Sequence, residues 1–359
     1  MLKNDFWVKR RVFVTGSTGF KGSWLCKQLK RLGAEVYGYA LPAETEPSLF
    51  EQANLSKEIY QSYCDIRNLN DLRHALHHSR AEIIFHLAAQ PLVRESYVNP
   101  VETFETNVMG TVNILEASRE NPHTRVIINV TTDKVYENRE WEWGYRETDR
   151  LGGHDPYSAS KACSEIVSHS YMKSLLFKSN IFMATARAGN VIGGGDYSKD
   201  RLVPDIVRAA NEGIDIKIRN PSSIRPWQHV IEPIWAYLLL AQKIYTQGNR
   251  FNGSWNFGPN DNSVCDVRTV TELLLKKLGS DVGIIFEKDI DKHEANLLKL
   301  DISKSKTHLG WNPTLDLNQA LDLIVDWNDR VNKYENVTQI LDTQLEKFEY
   351  MTFPNIGKI

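Results

Sequence analysis

Cysteine is scarce in this chain. Its four residues, Cys26, Cys64, Cys163 and Cys265, are widely spaced and include no C-x-x-C pair. That spacing argues against a disulfide framework and a cysteine-built zinc site, and fits a reduced, cytoplasmic protein. Charge of one sign is also missing: Lys and Arg number 43 against 45 Asp and Glu, a net of -2. Neither nucleic acid nor an anionic membrane is implied as a partner on electrostatic grounds. Long apolar runs are absent too. The densest patch, Trp235 to Ala241, is far too short to span a bilayer. The charged stretch from Met1 to Arg11 lacks the apolar segment of a signal peptide. No internal repeat or low-complexity segment is visible. What remains is a 359-residue chain, 42% hydrophobic, long enough for one large domain and a smaller lobe.

The first half alternates strand and helix signals. Val12-Phe13-Val14 is a short buried-strand run, and it flows into Thr15-Gly-Ser-Thr-Gly-Phe-Lys-Gly22. A helix pattern follows, with Leu25, Leu29 and Leu32 on one face and Gly33 as its stop. Strand, glycine turn and helix form the frame of a dinucleotide site. Glycines admit a pyrophosphate to the backbone, and the helix N-terminus offers free N–H groups. Glu35 to Ala40 is the second strand, and no Asp or Glu follows it until Glu44. No Arg stands there either, so NAD is preferred over its phosphorylated form. A third strand ends near Cys64-Asp65-Ile66, where Asp65 could meet the adenine amino group or cap a turn. Ala81 to Ala89 is the fourth strand, with His86 inside it as a hydrogen-bonded core residue. A long helix runs from about Val101 to Arg119, with the polar Asn107 inside an apolar stretch. Arg125 to Thr132 is the fifth strand, and it delivers Thr132-Asp133-Lys134 to the carboxyl edge, where open α/β sheets bind ligands.

Tyr157-Ser-Ala-Ser-Lys161 then places a phenol and an ammonium one helical turn apart. A neighbouring ammonium favours phenolate, so the Tyr157 pKa is expected to fall toward neutrality and make it a general base or acid. Another strand covers Asn180 to Val191. Beyond it, Lys217 to Arg219 is a short strand, Trp255 to Gly258 a return strand, and 201–210, 233–245, 267–278 and 315–327 are helices. The pattern specifies an α/β fold, a Rossmann-type doubly wound parallel sheet with a smaller interleaved C-terminal substrate lobe. The dinucleotide domain is assigned to 1–190 with 228–262 returning to it, the lobe mainly to 191–330, and an accessory tail to 331–359. Trp141 and Trp143 are read as loop packing.

Together, T-G-S-T-G-F-K-G, H-L-A-A, Asn107, T-T-D-K-V-Y, Y-S-A-S-K and A-R-A-G-N-V, in this order over roughly 10 to 330, resemble the extended short-chain dehydrogenases/reductases that act on nucleotide sugars. The resemblance implies NAD bound by Gly16, Thr18, Gly19, Phe20, Gly22, Asp65, Ile66, Ala88, Ala89, Asn107, Thr131, Tyr157 and Lys161. It implies that Thr132 bonds the sugar 4-hydroxyl, that Tyr157 takes its proton, and that Lys161 holds the nicotinamide ribose. Ser96, Asn190, Arg201, Leu202, Arg219, Arg225 and Asn260 are the implied substrate contacts. Arginines suit a diphosphate because the guanidinium fork matches two oxygens, although Arg219 and Arg225 could equally be salt-bridge partners. No metal is implied.

Within the family, the two residues after the threonine separate reactions. Epimerases tend to carry no acid/base pair there, whereas 4,6-dehydratases do. Asp133-Lys134, with Arg225-Pro-Trp-Gln-His229 and Gly19-Phe-Lys-Gly22, resembles the dehydratase branch and implies CDP-glucose as substrate. Asp133 would be the acid at the C6 hydroxyl. A lysine serves as a base only where burial or another cation disfavours its ammonium; a charged lysine stabilises an enolate instead. Both roles stay open for Lys134. A 4-epimerase, a dehydratase of a dTDP- or GDP-sugar, and a non-catalytic NAD-binding member are the alternatives. Family members pair through the helix near Val101 and the helix of Tyr157, so a homodimer or larger homo-oligomer is expected.

Overall fold

The computed structural model describes residues 4–287 and 297–353. Its centre is a seven-stranded parallel sheet built from β1 (Arg11–Thr15), β2 (Glu35–Ala40), β3 (Tyr60–Tyr63), β4 (Ile83–His86), β5 (Val126–Val130), β6 (Phe182–Ala188) and β7 (Gly253–Phe257). The spatial order is β7-β6-β5-β4-β1-β2-β3. Strand order reverses between β1 and β4, and this is where an open parallel sheet forms its ligand crevice. β4 and β5 are buried along their whole length, as central strands covered on both faces must be.

Helices cover both faces: α1 (Phe20–Arg31), α2 (Leu69–Ser79), α3 (Gly110–Glu120), α4 (Pro156–Ser174), α5 (Leu202–Glu212), α6 (Ile231–Gln247), α7 (Val267–Leu278), α8 (Leu317–Asn332) and α9 (Val337–Thr352). One apolar core lies between the sheet and α1, α6 and α9, another between the sheet and α2, α3 and α4. A third, formed by α5, α7, α8 and the parallel pair Ile216–Arg219 and Ile284–Glu287, belongs to the smaller lobe. Among the described residues no helix is long and apolar enough to cross a membrane.

Two local features depart from the sequence reading. The helix expected from Val101 is three consecutive helical pieces: Pro100–Phe104, a π turn over Glu105–Met109, and α3. Asn107 sits in the π turn. Its Oδ1 accepts from the Gln90 N–H at 2.8 Å, and its Nδ2 donates to the Gln90 carbonyl and to Ser160 Oγ. The segment expected to be an accessory tail supplies α9. Ile340, Leu341, Leu345 and Phe348 are buried in the main core, and Asp342, Glu346 and Glu349 pair with Arg31 of α1. A charged surface hid this amphipathic face.

Sheet and α4 are joined by a buried ion pair. Glu165, on α4, faces Arg187 of β6 at 2.8 Å, with both side chains at most 3% exposed. Arg187 donates to it from Nε and Nη2. Thr131 Oγ1 donates to it at 2.5 Å, Thr185 Oγ1 at 2.7 Å and Ser254 Oγ at 3.2 Å. Arg187 Nη1 also donates to Tyr136 Oη. Burial alone would raise the Glu165 pKa, but Arg187 and the hydroxyl donors outweigh it and hold the carboxyl below its ordinary range. A depressed carboxyl pKa stabilises the fold above the unfolded value, and that stability is lost as pH falls through the folded one.

Removing one partner of such a pair strands a buried charge. Glu165→Ala is expected to cost about 3–5 kcal/mol, read as a lower urea midpoint at pH 7. The gap between the variant and the parent should narrow as the melts are moved below the ordinary glutamate range.

Candidate active site

The turn after β1 is shaped by steric exclusion. Gly16 has φ +71°, and a Cβ there would lie 2.7 Å from the Ala88 backbone nitrogen. A Cβ on Gly22 would meet the Gly16 carbonyl oxygen at 2.0 Å, so only glycine lets α1 press onto the turn. A Cβ on Gly19, by contrast, would meet only Gly16 O, at 3.4 Å, which leaves an open face. The first turn of α1 has no side-chain cap and no acidic residue. Its free N–H groups and positive dipole end are therefore uncompensated by the protein, as a pyrophosphate site requires. These features fit a bound dinucleotide. β2 ends in Ala40 with the exposed Leu41 after it, so no carboxylate waits there for a ribose.

Several residues expected to touch the cofactor instead build the turn. Thr18 Oγ1 donates to the Leu41 carbonyl at 2.8 Å. Ile66 is buried against Gly110. Asp65 is bound by Arg67 through Nε, Nη2 and the backbone N–H, which lowers its pKa. The Asn107 side chain is saturated by Gln90 and Ser160, and holds the loop after β4 against α4. His86 is the core residue expected. Its Nδ1 lies 2.7 Å from Thr15 Oγ1 and its Nε2 3.4 Å from Thr111 Oγ1, and burial depresses its pKa to about 3.

Beyond the carboxyl ends of β5 and β6 lies a cavity of about 840 Å³. Thr131, Thr132, Asp133, Lys134 and Tyr157 form its floor. Asn190, Arg201, Leu202, Arg219 and Arg225 reach it from the other lobe. The topology thus gathers residues that lie far apart in sequence. Asp155 caps α4 by accepting from the Ser158 N–H, which fixes the turn that carries Tyr157. Two expected contacts lie elsewhere. Ser96 is fully buried and donates to the Val93 carbonyl; its place in helix Val93–Val98 turns it inward. Asn260 is exposed and accepts from Lys306 Nζ; the loop after β7 carries it away from the cavity.

The electrostatics correct one expectation. Burial drives the Tyr157 phenol up to about 12, with the neighbouring Thr132 hydroxyl only partly offsetting it. Lys161 is buried too and donates to the Val130 carbonyl at 3.3 Å. Burial and then the Lys21 charge lower its pKa to about 8. Desolvation outweighs the pairwise attraction inferred from spacing. Asp133 is 2% exposed. Its Oδ1 accepts from Thr132 Oγ1 at 3.0 Å, and its Oδ2 has no partner. A Cβ on Gly189 would stand 2.7 Å from that oxygen, so a glycine makes room for the carboxyl. Burial raises the Asp133 pKa against the opposing pull of Lys134, Thr132, Arg225 and Lys21. A carboxyl biased toward protonation, with a free oxygen, can act as an acid.

The arginines divide. Arg201 donates to Asp196 at 2.8 Å and Arg219 to Asp200 at 3.0 Å, while Arg225, 3% exposed, donates to the Ile224 carbonyl. All three line the cavity. Trp141 and Trp143 pack edge to face, with Trp141 on Tyr145, in the loop packing expected. Lys21 was quoted only as part of a motif, yet its side chain lines the same cavity. A signal was present: a cation in the first turn of a helix opposes the helix dipole and needs another reason to be there.

Residues 13–324 match the family model described as GDP-mannose 4,6 dehydratase. The chain is 45% identical to the CDP-glucose 4,6-dehydratase of Salmonella typhimurium, over 98% of this chain and 99% of that protein. It is 25% identical to the dTDP-glucose 4,6-dehydratase of Haemophilus influenzae, over 88% and 97%. The fold matches a dTDP-glucose 4,6-dehydratase from Streptomyces venezuelae solved with NAD bound, with a TM-score of 0.78 at 23% identity, covering 91% of this chain and 99% of that one. It also matches a UDP-glucose 4-epimerase from Thermotoga maritima, with a TM-score of 0.77 at 23% identity, covering 89% and 99%. With its glycine turn, its Tyr157–Lys161 helix and its seven-stranded sheet all accounted for, the chain belongs to the GDP-mannose 4,6-dehydratase family of extended short-chain dehydrogenases/reductases.

Proposed function

We propose that this protein is an NAD-dependent CDP-glucose 4,6-dehydratase, releasing water and CDP-4-dehydro-6-deoxyglucose. The observation that carries the reading is the convergence of Thr132, Asp133, Lys134 and Tyr157 on one cavity. The 45% identity to a CDP-glucose 4,6-dehydratase over nearly the whole chain supports the substrate.

NAD, held at the Gly16–Gly22 turn with Lys161 toward its ribose, supplies when bound a two-electron acceptor that later returns the electrons, and a cationic ring that favours phenolate at Tyr157. The rest is proton handling by the chain. Thr132 Oγ1 orients the sugar 4-hydroxyl, and Tyr157 Oη takes its proton. Once C4 is a ketone, the C5 proton is acidic. Lys134 stands on that side, either as the base or as a charge beside the developing enolate. Asp133 gives its proton to the departing C6 hydroxyl, which leaves as water. A proton returns to C5 when C6 is reduced, so substrate and product differ by one water and the cofactor ends unchanged. Arg201, Arg219 and Arg225 flank the space for the diphosphate, where a buried double charge needs pairing. Such a product suits later deoxygenation toward surface polysaccharide sugars in a cytoplasmic pathway.

A homodimer also fits. Val98, Val101, Phe104, Met109 and Ile166 are apolar yet between 37% and 70% exposed, on the helices between 93 and 109 and on α4 beside them. A second copy laying the same helices against these would bury the patch.

Incubation with NAD and CDP-glucose should yield the 4-keto-6-deoxy sugar by its alkaline absorbance, with little signal from dTDP-glucose or GDP-mannose; an epimer as sole product overturns the reading. Asp133→Asn should lower turnover by roughly 10²–10⁴-fold while CDP-glucose still binds in calorimetry. Ile166→Glu should shift light scattering from dimer to monomer mass, and a monomeric parent protein would remove the interface.

A further inference from the structure

Lys21 has no role in the reaction described above, although its side chain lines the reaction cavity beside Asp133 and Tyr157. Its backbone is clamped. Gly22 packs on the Gly16 carbonyl so closely that no Cβ fits, and the Ser23 N–H donates to the Gly19 carbonyl at 2.8 Å. The ammonium therefore cannot retreat by moving the helix. It has to reach over the glycine turn into the cavity, at the helix end where a positive charge is least favoured. Nearby anions are occupied or incomplete: Asp196 is paired with Arg201, and Asp133 Oδ2 has no partner.

We propose that Lys21 is a positioning residue of the reaction site, whose charge sets the protonation of Lys161 and Asp133 across the cavity. This rests on the dehydratase reading for its consequence in turnover. Lys161 is faced by Lys21 and by Glu165 of its own helix, with opposite effects. Asp133 is faced by Lys134, Thr132, Arg225 and Lys21. Tyr157 is faced by Thr132, Asp133, Arg201 and Asp155. Lys21 itself is faced by Arg201, Asp133 and Asp196, and burial brings its pKa down to about 8. Two lysines in one dry site repel each other, so each is easier to deprotonate than it would be alone. Taking away the Lys21 charge removes that repulsion from Lys161 and removes an attraction that keeps Asp133 ionised. Both pKa values then rise. Lys161 is held more firmly as an ammonium, and Asp133 keeps its proton to higher pH.

The test needs no substrate for its first readout. Lysine Cε resonances of the full chain are titrated by NMR, with Lys161 assigned by its loss in Lys161→Met. In the parent protein Lys161 should titrate near 8. In Lys21→Met it should move up by about half a unit or more, and in Lys21→Arg it should stay near the parent value. The pH profile of turnover with CDP-glucose should move to higher pH in Lys21→Met and return in Lys21→Arg. An unmoved Lys161 in Lys21→Met, or in Lys21→Gln should Met misfold, overturns the proposal. So does an ordinary lysine titration for Lys161 in the parent, or a rate loss equal at every pH. If the parent fails to turn over CDP-glucose, the dehydratase reading falls and the Lys161 titration still decides the role of Lys21.

Discussion

The Glu165–Arg187 pair is the constraint on which the site depends. It lies beneath the cavity and joins α4 to β6, to Thr131 at the end of β5, to Ser254 of β7 and to Tyr136. Glu165 is one turn beyond Lys161 and two beyond Tyr157 on the same helix, so fixing Glu165 fixes the azimuth of α4. The strand that bears Arg187 ends at Ala188, next to the Gly189 that admits Asp133. One buried interaction thus sets the distance between the tyrosine on the helix and the acid on the loop. Its worth lies in specifying geometry; an ion pair out of water is only weakly favourable as a source of stability.

Desolvation governs the chemistry above it. Tyr157, Lys161, Asp133 and Lys21 are all pushed toward their neutral forms. A site that keeps an acid protonated and amines near neutrality can move protons in either direction with small driving force, which is what alternating deprotonation and reprotonation require. The cations at the edge, Arg201 and Arg219, keep aspartate partners and more exposure, as groups awaiting a charged ligand do.

Where the sequence reading and the structure part, the cause is a partner supplied from far along the chain. Asn107 is polar within an apolar helix because Gln90 and Ser160 saturate it. Asp65 is turned aside by Arg67, two residues on, which no strand pattern reveals. Ser96 faces inward because a short helix after β4 rotates it. α9 disguises its buried face among charges that answer Arg31 and Lys27 of α1.

The sequence by itself determined the strand–glycine turn–helix unit, the parallel order of alternating elements, and the residues Thr132, Asp133, Tyr157 and Lys161. These depend on period, on spacing within one turn and on the absence of a side chain, all of which are local. Only the tertiary structure decided that Lys21 shares their cavity, that Asp133 has an unpartnered oxygen facing Gly189, and that burial overrides the expected fall in the Tyr157 pKa. Each of those follows from the exclusion of water by segments distant in sequence, and solvent exclusion belongs to the packed molecule as a whole.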